Sequence, residues 1–352
     1  MTGIRADGNN QIGIGHVMRC LTIADALKEI GENVVFFTAD HSCEEMITER
    51  GFACRVIETP FDDMESEPEL LQTVMKESKV DRLLIDSYYV TEEYLNRLRE
   101  CVATIYLDDV DSFPYPVDLL VNYNVFAKAL DYPYGVEYTE NAKRSSVVKE
   151  DITQVLAGPK YAPVRKEFAE CRTEVKEEVS EILITLGGSD AHNLSYKISK
   201  ALLKSTDARL NVVCGPFNLH KQALYELSAN ESRMTVCENV KDMWNLMRKC
   251  DLAVSAAGST MCELAVAGVP TVTFSFVENQ KRIAEAFGEK EAAVSVGHYE
   301  IKEEDIFLQA VADEVKSLMA SREKRENLVR NASEMVDGLG AIRIARAIAE
   351  YK

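Results

Sequence analysis

Short apolar runs, most of them rich in β-branched or aromatic residues, recur along the chain and alternate with stretches that have helical spacing. In the first half the apolar runs are 33–38, 82–86, 103–109 and 117–122, and helices are predicted near 43–51 and 91–101. In the second half, 181–190 is a strand followed by a turn, with a helix from about residue 192, and 209–216, 251–259 and 270–276 repeat the pattern. Strands that alternate with helices predict parallel sheets that are covered on both faces.

This alternation is interrupted between residues 139 and 178, where two polar or charged segments flank one short helical pattern. We place a domain boundary near residue 173, which gives domains 1–173 and 174–352, although both polar segments are also compatible with surface loops. The length agrees with two domains, because 352 residues exceed the roughly 100–200 residues of a single domain.

The composition narrows the functional classes. No run approaches the roughly 20 apolar residues that span a bilayer, and the N-terminus lacks the pattern of a secretory signal. The nine cysteines are scattered without a C-x-x-C pair, which favours reduced thiols in a cytoplasmic protein and argues against a zinc site. A formal net charge of −18 disfavours nucleic acids and anionic lipids as partners.

The first candidate site follows the first predicted strand, which ends near Asp7. A loop with Gly13 and Gly15 leads into a helix that begins near His16. Ligands of open α/β sheets bind at this end of the strands, and glycines let the backbone approach them closely. The loop is neither a P-loop nor a dinucleotide fingerprint, since Met18 occupies the third glycine position. A helix N-terminus favours a neutral imidazole that can accept a proton, so His16 is a candidate base, although alone it could equally serve as a helix cap.

Two turns in the second half have the features of a phosphate site. One is a Gly-Gly-Ser turn before a helix, which presents N–H donors and a hydroxyl but is also typical of ordinary tight turns. The other is a run of small residues before a helix whose first N–H groups carry partial positive charge. The residues assigned to phosphate binding are Gly187, Gly188, Ser189, Gly258, Ser259 and Thr260.

Further residues near these turns fit the rest of a nucleotide. Glu263 lies one turn into the second helix, where a carboxylate can accept ribose hydroxyls, and its apolar neighbours disfavour a merely solvated charge. Val240 and Met243 lie at a loop–helix junction and could form an apolar slot for a base, although such residues are more often core. Asn279 and Gln280 follow the last of the four strands.

Two acidic segments follow strands of the first half. Asp86 and Tyr88 come after one strand, and Asp108, Asp109 and Asp111 come after the next. Paired carboxylates suggest acid–base chemistry or a metal site. Turn formation and helix capping are the favoured interpretation of the aspartate cluster.

Taken in order, these segments resemble a nucleotide-sugar family. The resemblance covers about residues 4–290, and it rests on RADGNNQIGIGHVMRC, IDSYY, LDD, DLLVNYNVFAKALDY, AGPKYAPVRKEF, LGGSDAHNLS, AGSTMCELAVAGVP and FVENQ. The family comprises the UDP-2,4-diacetamido-2,4,6-trideoxy-β-L-altropyranose hydrolases of pseudaminic acid biosynthesis and similar spore coat polysaccharide biosynthesis proteins. Peptidoglycan UDP-N-acetylglucosamine transferases are more distantly similar. The resemblance implies a GT-B fold of two facing Rossmann-like domains with a ligand cleft between them, and a last helix at 338–352 that packs back on the first domain.

The resemblance also implies a reaction and roles. His16 matches the catalytic histidine, Tyr88 an active-site tyrosine and Asn279 an active-site asparagine, while the glycine turns hold the diphosphate and Glu263 the ribose. The implied reaction is hydrolysis of a UDP-sugar at the sugar C1–O bond with inversion, which needs no metal or other cofactor. The exact sugar and the oligomeric state stay open. A UDP-sugar glycosyltransferase and a non-catalytic nucleotide-sugar-binding protein are the alternatives, and an imidazole closed off from solvent would count against any catalytic role for His16.

Overall fold

The chain forms two compact units in a computed structural model that describes residues 1–9, 11–130, 132, 135–137, 153–170, 174–240 and 242–351. The first unit consists of Met1–Pro163 and Leu339–Lys352, and the second of Val164–Gly338. The predicted boundary near residue 173 falls outside the described residues. Both units are α/β and contain a parallel sheet, as the alternation of strands and helices predicts.

The first unit is built on an eight-stranded sheet with the order β3-β2-β1-β4-β5-β6-β8-β7. Its strands are β1 (Thr2–Ala6), β2 (Val34–Thr38), β3 (Ala53–Val56), β4 (Arg82–Asp86), β5 (Ala103–Leu107), β6 (Leu119–Asn122), β7 (Gly135–Glu137) and β8 (Thr153–Ala157). The helices between them are α1 (Gly15–Glu29), α2 (Glu44–Glu49), α3 (Pro68–Glu77) and α4 (Glu92–Arg99). The central strands β1 and β4 are buried at every position, including the charged residues Arg5, Arg82 and Asp86.

The second unit has a six-stranded sheet with the order β11-β10-β9-β12-β13-β14. The strands are β9 (Glu181–Thr185), β10 (Arg209–Cys214), β11 (Met234–Glu238), β12 (Leu252–Ala256), β13 (Thr271–Ser275) and β14 (Val294–His298). The helices are α5 (Lys166–Glu170), α6 (Leu194–Ser205), α7 (Lys221–Asn230), α8 (Met243–Lys249), α9 (Thr260–Ala267), α10 (Glu278–Glu289), α11 (Glu304–Ala320) and α12 (Arg322–Met335). Apolar side chains of this sheet and of helices such as α6 and α11 form one hydrophobic core.

Each sheet has a point at which the strand order reverses. It lies between β1 and β4 in the first unit, and between β9 and β12 in the second. In open α/β sheets the loops that leave neighbouring strands there diverge to opposite faces and open a crevice at the carboxyl edge. The loops after these four strands are therefore the expected positions for ligand-binding residues.

The last helix, α13 (Gly340–Ala349), belongs to the first unit, where it packs against α1. The Arg82 guanidinium donates hydrogen bonds to the carbonyls of Ile348 and Ala349, at 3.3 and 3.0 Å. These carbonyls lie in the last turn, where a helix leaves them without an internal partner, and a cation there also complements the helix dipole. The Tyr351 hydroxyl donates to the carbonyl of Asp118 at 2.9 Å, which ties the end of the chain to the same unit.

Truncation of an apolar side chain on α13 is expected to destabilise the first unit. Ile344 is 0% exposed, so Ile344→Val should lower the free energy of unfolding by about 0.5–1.5 kcal/mol. Chemical denaturation measures this loss, and Ile301→Val is the matched control because Ile301 is 69% exposed. Equal effects of the two substitutions would contradict the packing of α13 as described.

Candidate active site

The loops after β1 and β4 bring a histidine and an aspartate together in the first unit. His16 lies in the first turn of α1, and its Nδ1 is 2.6 Å from Oδ1 of Asp86, the last residue of β4. Because a carboxylate can only accept, this contact assigns the proton to Nδ1 and leaves Nε2 able to accept one. An imidazole oriented by a buried carboxylate is the arrangement of a general base.

Asp86 is held as an anion although it is only 1% exposed. Burial by itself disfavours ionisation, but the positive charge of Arg19 and the hydrogen bonds from Arg19 and His16 outweigh it and hold the pKa of Asp86 well below its usual range. A fixed negative charge beside Nδ1 stabilises the imidazolium that forms when Nε2 takes a proton.

The imidazole is less accessible than its predicted role requires, since the side chain of His16 is only 7% exposed. The half-exposed ring of Tyr88 packs on it edge to face, with the ring centroids 4.5 Å apart. Tyr88 therefore covers part of the imidazole, and the access of a reactant to Nε2 depends on where this tyrosine lies. Nothing in the local sequence indicates that the ring of Tyr88 covers the imidazole of His16.

Arg19, which the sequence analysis did not single out, connects two carboxylates in this site. Its Nε and Nη2 donate to the two oxygens of Asp86 at 2.6 and 2.5 Å. Its Nη1 donates to Asp109 at 2.5 Å and to the Tyr123 hydroxyl at 2.7 Å. The spacing along the chain could have identified Arg19, because a residue three positions after His16 lies on the same face of a helix.

The two neighbouring aspartates after β5 have different roles. Asp108 accepts hydrogen bonds from the amides of Val110 and Asp111, both at 2.9 Å, which confirms the turn-forming role. Asp109 departs from it, because its carboxylate binds Arg19 and also accepts a hydrogen bond from the Tyr88 hydroxyl at 3.2 Å. Asp109 thus links the tyrosine that covers the imidazole to the arginine that binds Asp86.

The glycines of the first loop leave its backbone uncovered. Gly13 has a φ of +75°, a left-handed conformation that favours glycine. A Cβ built at Gly13 or at Gly15 would meet no atom of the described residues within 4 Å. A substituent of a ligand can therefore approach this backbone closely, which is the role predicted for both residues.

In the second unit, the Gly-Gly-Ser turn after β9 packs tightly on the loop after β10. A Cβ at Gly215 would lie 2.3 and 2.4 Å from the carbonyl oxygens of Gly187 and Gly188, so only glycine fits there. Gly215 was not identified from the sequence, because it follows a different strand. Gly187 itself has a φ of +88°.

A carboxylate closes the start of α6, the helix that follows the Gly-Gly-Ser turn. The carboxylate of Asp190 accepts hydrogen bonds from the amides of Leu194 and Ser195, at 2.7 and 2.9 Å, and so occupies the first turn of α6. An anion would meet that negative charge at this helix N-terminus. The N–H donors of this turn that can serve a phosphate are therefore those of the loop 187–189, not those of the helix.

No side chain caps the start of α9. Ser259, which directly precedes the helix, makes no side-chain capping hydrogen bond and is exposed, while Gly258 and Thr260 are half-buried. The amides of Met261 and Cys262 donate to the carbonyls of Gly258 and Ser259, at 3.0 Å each, so the helix dipole and the amides before Met261 are what can attract a negative charge. This helix N-terminus retains the features predicted for a diphosphate site.

Glu263, in the first turn of α9, is paired with an arginine that the sequence analysis did not identify. The Nε and Nη2 atoms of Arg165 donate to Oε1 of Glu263 at 3.2 and 2.9 Å, and the carboxylate side chain is 22% exposed. Burial raises the pKa of Glu263, and the positive charge of Arg165 opposes that rise. Both donors of Arg165 bind Oε1, so Oε2 is the oxygen through which Glu263 can contact a ligand.

Comparison with known proteins agrees with this architecture. Residues 181–339 match the glycosyltransferase family 28 C-terminal domain. The chain is 29% identical over 320 residues to an uncharacterised protein of Methanocaldococcus jannaschii, and the match covers 87% of this chain but only 61% of that relative. It is 27% identical over 349 residues to the spore coat polysaccharide biosynthesis protein SpsG of Bacillus subtilis, with 97% and 96% coverage.

A third relative carries the name of an enzyme. The chain is 26% identical over 284 residues to the UDP-2,4-diacetamido-2,4,6-trideoxy-β-L-altropyranose hydrolase of Campylobacter jejuni, covering 80% of this chain and 93% of that protein. Among solved structures, MurG of Acinetobacter baumannii superposes with a TM-score of 0.67 at 18% identity, over 99% of both chains. The protein has the GT-B fold.

The remaining predicted residues of this GT-B protein lie in its second unit. Asn279 is exposed and Gln280 half-buried in the first turn of α10, where Oε1 of Gln280 accepts a hydrogen bond from the Phe276 amide at 3.2 Å. Val240 and Met243 are half-buried at the start of α8, on either side of a residue outside the described set. Within the described ranges, every helix is too short or too polar to cross a bilayer.

Proposed function

We propose that the protein hydrolyses a UDP-activated amino-deoxy sugar, a UDP-2,4-diacetamido-2,4,6-trideoxyhexose, at its C1–O bond and releases UDP and the free sugar. The observation that carries this proposal is the His16–Asp86 pair at the carboxyl edge of the first sheet, where Nε2 is able to accept a proton. The names of the Campylobacter and Bacillus relatives support a role in nonulosonic acid or surface polysaccharide biosynthesis. The scattered cysteines favour the cytoplasm as its location.

In this proposal the second unit binds the nucleotide. The backbone N–H groups of 187–189 and the N-terminus of α9 bind the diphosphate, and Oε2 of Glu263 accepts the ribose hydroxyls. Val240 and Met243 contact the uracil. A nucleoside diphosphate is a good leaving group, so fixed N–H donors that stabilise its developing charge can replace a strong general acid.

The first unit supplies the base. Nε2 of His16 takes a proton from a water molecule, whose oxygen attacks C1 on the face opposite the leaving diphosphate and so inverts that carbon. Asp86 stabilises the imidazolium, and Tyr88 and Asn279 hold the sugar in position. These steps use only side chains and backbone groups of this chain, in keeping with the prediction that no metal or cofactor takes part.

A glycosyltransferase is the second candidate, because residues 181–339 match a glycosyltransferase domain. The same imidazole can deprotonate an alcohol as readily as water, so the His16 site alone does not distinguish the two reactions. The acceptor of the sugar decides between them.

We expect UDP release from the purified protein and UDP-2,4-diacetamido-2,4,6-trideoxyhexose without an added acceptor and in the presence of EDTA. In water enriched in ¹⁸O, mass spectrometry should find the label in the free sugar and none in UDP, because the C1–O bond breaks. NMR of the product should show inversion at C1.

Other outcomes identify the alternatives. Turnover that requires an alcohol acceptor would show a transferase. Tight binding of the UDP-sugar without turnover would show a binding protein, and ¹⁸O in the terminal phosphate of UDP would show attack on phosphorus instead of carbon.

A further inference from the structure

Arg19 occupies a position that a simple histidine–aspartate pair does not need. Its side chain is 10% exposed, and its guanidinium binds both oxygens of Asp86 at 2.6 and 2.5 Å. The same guanidinium reaches Nδ1 of His16 at 3.2 Å. Nδ1 donates its proton to Asp86 and cannot also accept one from Arg19, so this last contact places a positive charge beside the imidazole without a hydrogen bond.

This positive charge opposes the proposed chemistry. A base that becomes an imidazolium is disfavoured by a cation at this distance, and Asp86 shares its negative charge between Arg19 and His16. A buried base next to an uncompensated arginine would be a weak one.

Asp109 supplies the compensation. Its carboxylate lies 2.5 Å from Nη1 of Arg19, on the side away from Asp86. One cation against two carboxylates leaves a net charge of −1 while His16 is neutral, and this becomes zero when His16 gains a proton. Proton transfer to the base thus neutralises the cluster.

We propose that Asp109 and Arg19 are positioning residues that set the strength of the His16–Asp86 base, with Asp109 neutralising Arg19 so that the charge of Asp86 acts on the imidazole. The inference deepens the proposed function and rests on it insofar as His16 is the base. Asp109 also accepts the hydrogen bond of the Tyr88 hydroxyl, so the same carboxylate positions the ring that covers the imidazole.

The ionisable groups that contact the imidazole, or that contact Asp86 and Arg19 beside it, come from four parts of the first unit. Arg19 and Cys20 lie on α1 with His16, Asp86 ends β4, Tyr88 follows it, Asp109 follows β5 and Tyr123 follows β6. Burial raises the pKa values of Cys20, Tyr88 and Tyr123, so these three stay neutral near pH 7. The charge beside His16 is therefore set by Arg19 and the two aspartates.

Two substitutions should move the protonation of His16 in opposite directions. Asp109→Asn leaves the charge of Arg19 uncompensated, so the midpoint of the His16 titration should fall by about one pH unit. Arg19→Gln removes the cation and should raise the midpoint by a similar amount. NMR of the full-length protein with labelled histidine rings measures the midpoint, with the His16 signal assigned from a His16→Gln variant.

Two further variants test whether the charge of Arg19, and not the exact shape of the site, controls the midpoint. Arg19→Lys retains the positive charge, and Tyr123→Phe removes only the hydroxyl that contacts Nη1, so each should leave the midpoint within about 0.3 pH units of the native value. The acid side of the pH–rate profile for UDP release should shift with the NMR midpoints in all variants. If Arg19→Gln does not fold, Asp109→Asn and Arg19→Lys together still test whether Asp109 neutralises the charge of Arg19.

The results for the two proposals are separable. An unchanged midpoint in Asp109→Asn, or shifts of the same sign in Asp109→Asn and Arg19→Gln, would overturn the assignment of charge control even in an active hydrolase. Midpoints that shift as expected in a protein that releases no UDP would support the charge control and refute the proposed function.

Discussion

Replacement of His16 by alanine should lower the rate constant for UDP release by about 10²–10⁴-fold, the usual contribution of a general base. The dissociation constant for UDP should stay within about twofold of the native value, because the diphosphate and ribose contacts are proposed for the second unit, whereas His16 belongs to the first. Single-turnover kinetics with the UDP-sugar gives the rate constant, and isothermal titration calorimetry gives the affinity.

His41→Ala is the matched control for this substitution, since His41 is an exposed histidine of the same unit that pairs with Glu44. It should retain native turnover. Native turnover in His16→Ala would instead show that this histidine is a structural member of the buried Asp86–Arg19 cluster and that the base lies elsewhere. A parallel loss of UDP affinity would show that His16 binds the nucleotide.

Replacement of Glu263 by alanine should weaken UDP binding by about 10–100-fold, because hydrogen bonds to a charged group contribute roughly 1.5–3 kcal/mol each. The loss of affinity should occur only with a nucleotide that carries the ribose hydroxyls. Native protein should prefer UDP to 2′,3′-dideoxy-UDP, and Glu263→Ala should bind both equally. Calorimetry with the two nucleotides forms a cycle that isolates the contact between the carboxylate and the hydroxyls.

Glu278→Ala is the control for the loss of a negative charge, since Glu278 is an exposed glutamate that pairs with Lys281 at the start of α10. It should leave both affinities nearly unchanged. A Glu263→Ala variant that binds UDP like the native protein, or that still discriminates against the dideoxy nucleotide, would exclude the ribose role.

The pH dependence of UDP binding offers a further test of the pair formed by Glu263 and Arg165. Burial raises the pKa of Glu263, so this carboxylate loses its charge, and with it part of its affinity for hydroxyl donors, as the pH falls through that raised value. Arg165 opposes the rise, so Arg165→Gln should move the loss of affinity to higher pH. The phosphates of UDP also titrate near pH 6, and the dideoxy nucleotide corrects for them because it shares the diphosphate and lacks the ribose hydroxyls.

Local patterns predicted the elements that place the site. The apolar run at 82–86 coincides with β4, and the small residues before Thr260 precede the first turn of α9. The strand prediction succeeds because the middle of a buried parallel strand is apolar, here Leu83, Leu84 and Ile85. The turn prediction succeeds because small residues let a chain turn tightly into a helix. The two α/β units of the GT-B fold were predicted for the same reason.

Contacts between distant parts of the chain could not be predicted in this way. Arg19 and Asp109 are 90 residues apart, and Arg165 and Glu263 are 98 apart, so nothing in either local pattern indicates the other partner. Asp190 shows a related limit: an aspartate after a glycine turn is compatible with a ligand site, but here its carboxylate caps α6. Side-chain partners of this kind are decided by tertiary packing, which a single sequence does not display.

The position of α13 has a consequence for synthesis on the ribosome. Residues Val164–Gly338 form a contiguous unit that can fold as soon as it has emerged, whereas the amino-terminal sheet waits for Leu339–Lys352 before its last helix can dock. Until α13 has emerged from the ribosome, the apolar surface of α1 that it covers stays exposed in the nascent polypeptide. A ribosome that stalls before α13 has emerged would therefore leave a folded second unit attached to a first unit that chaperones must protect.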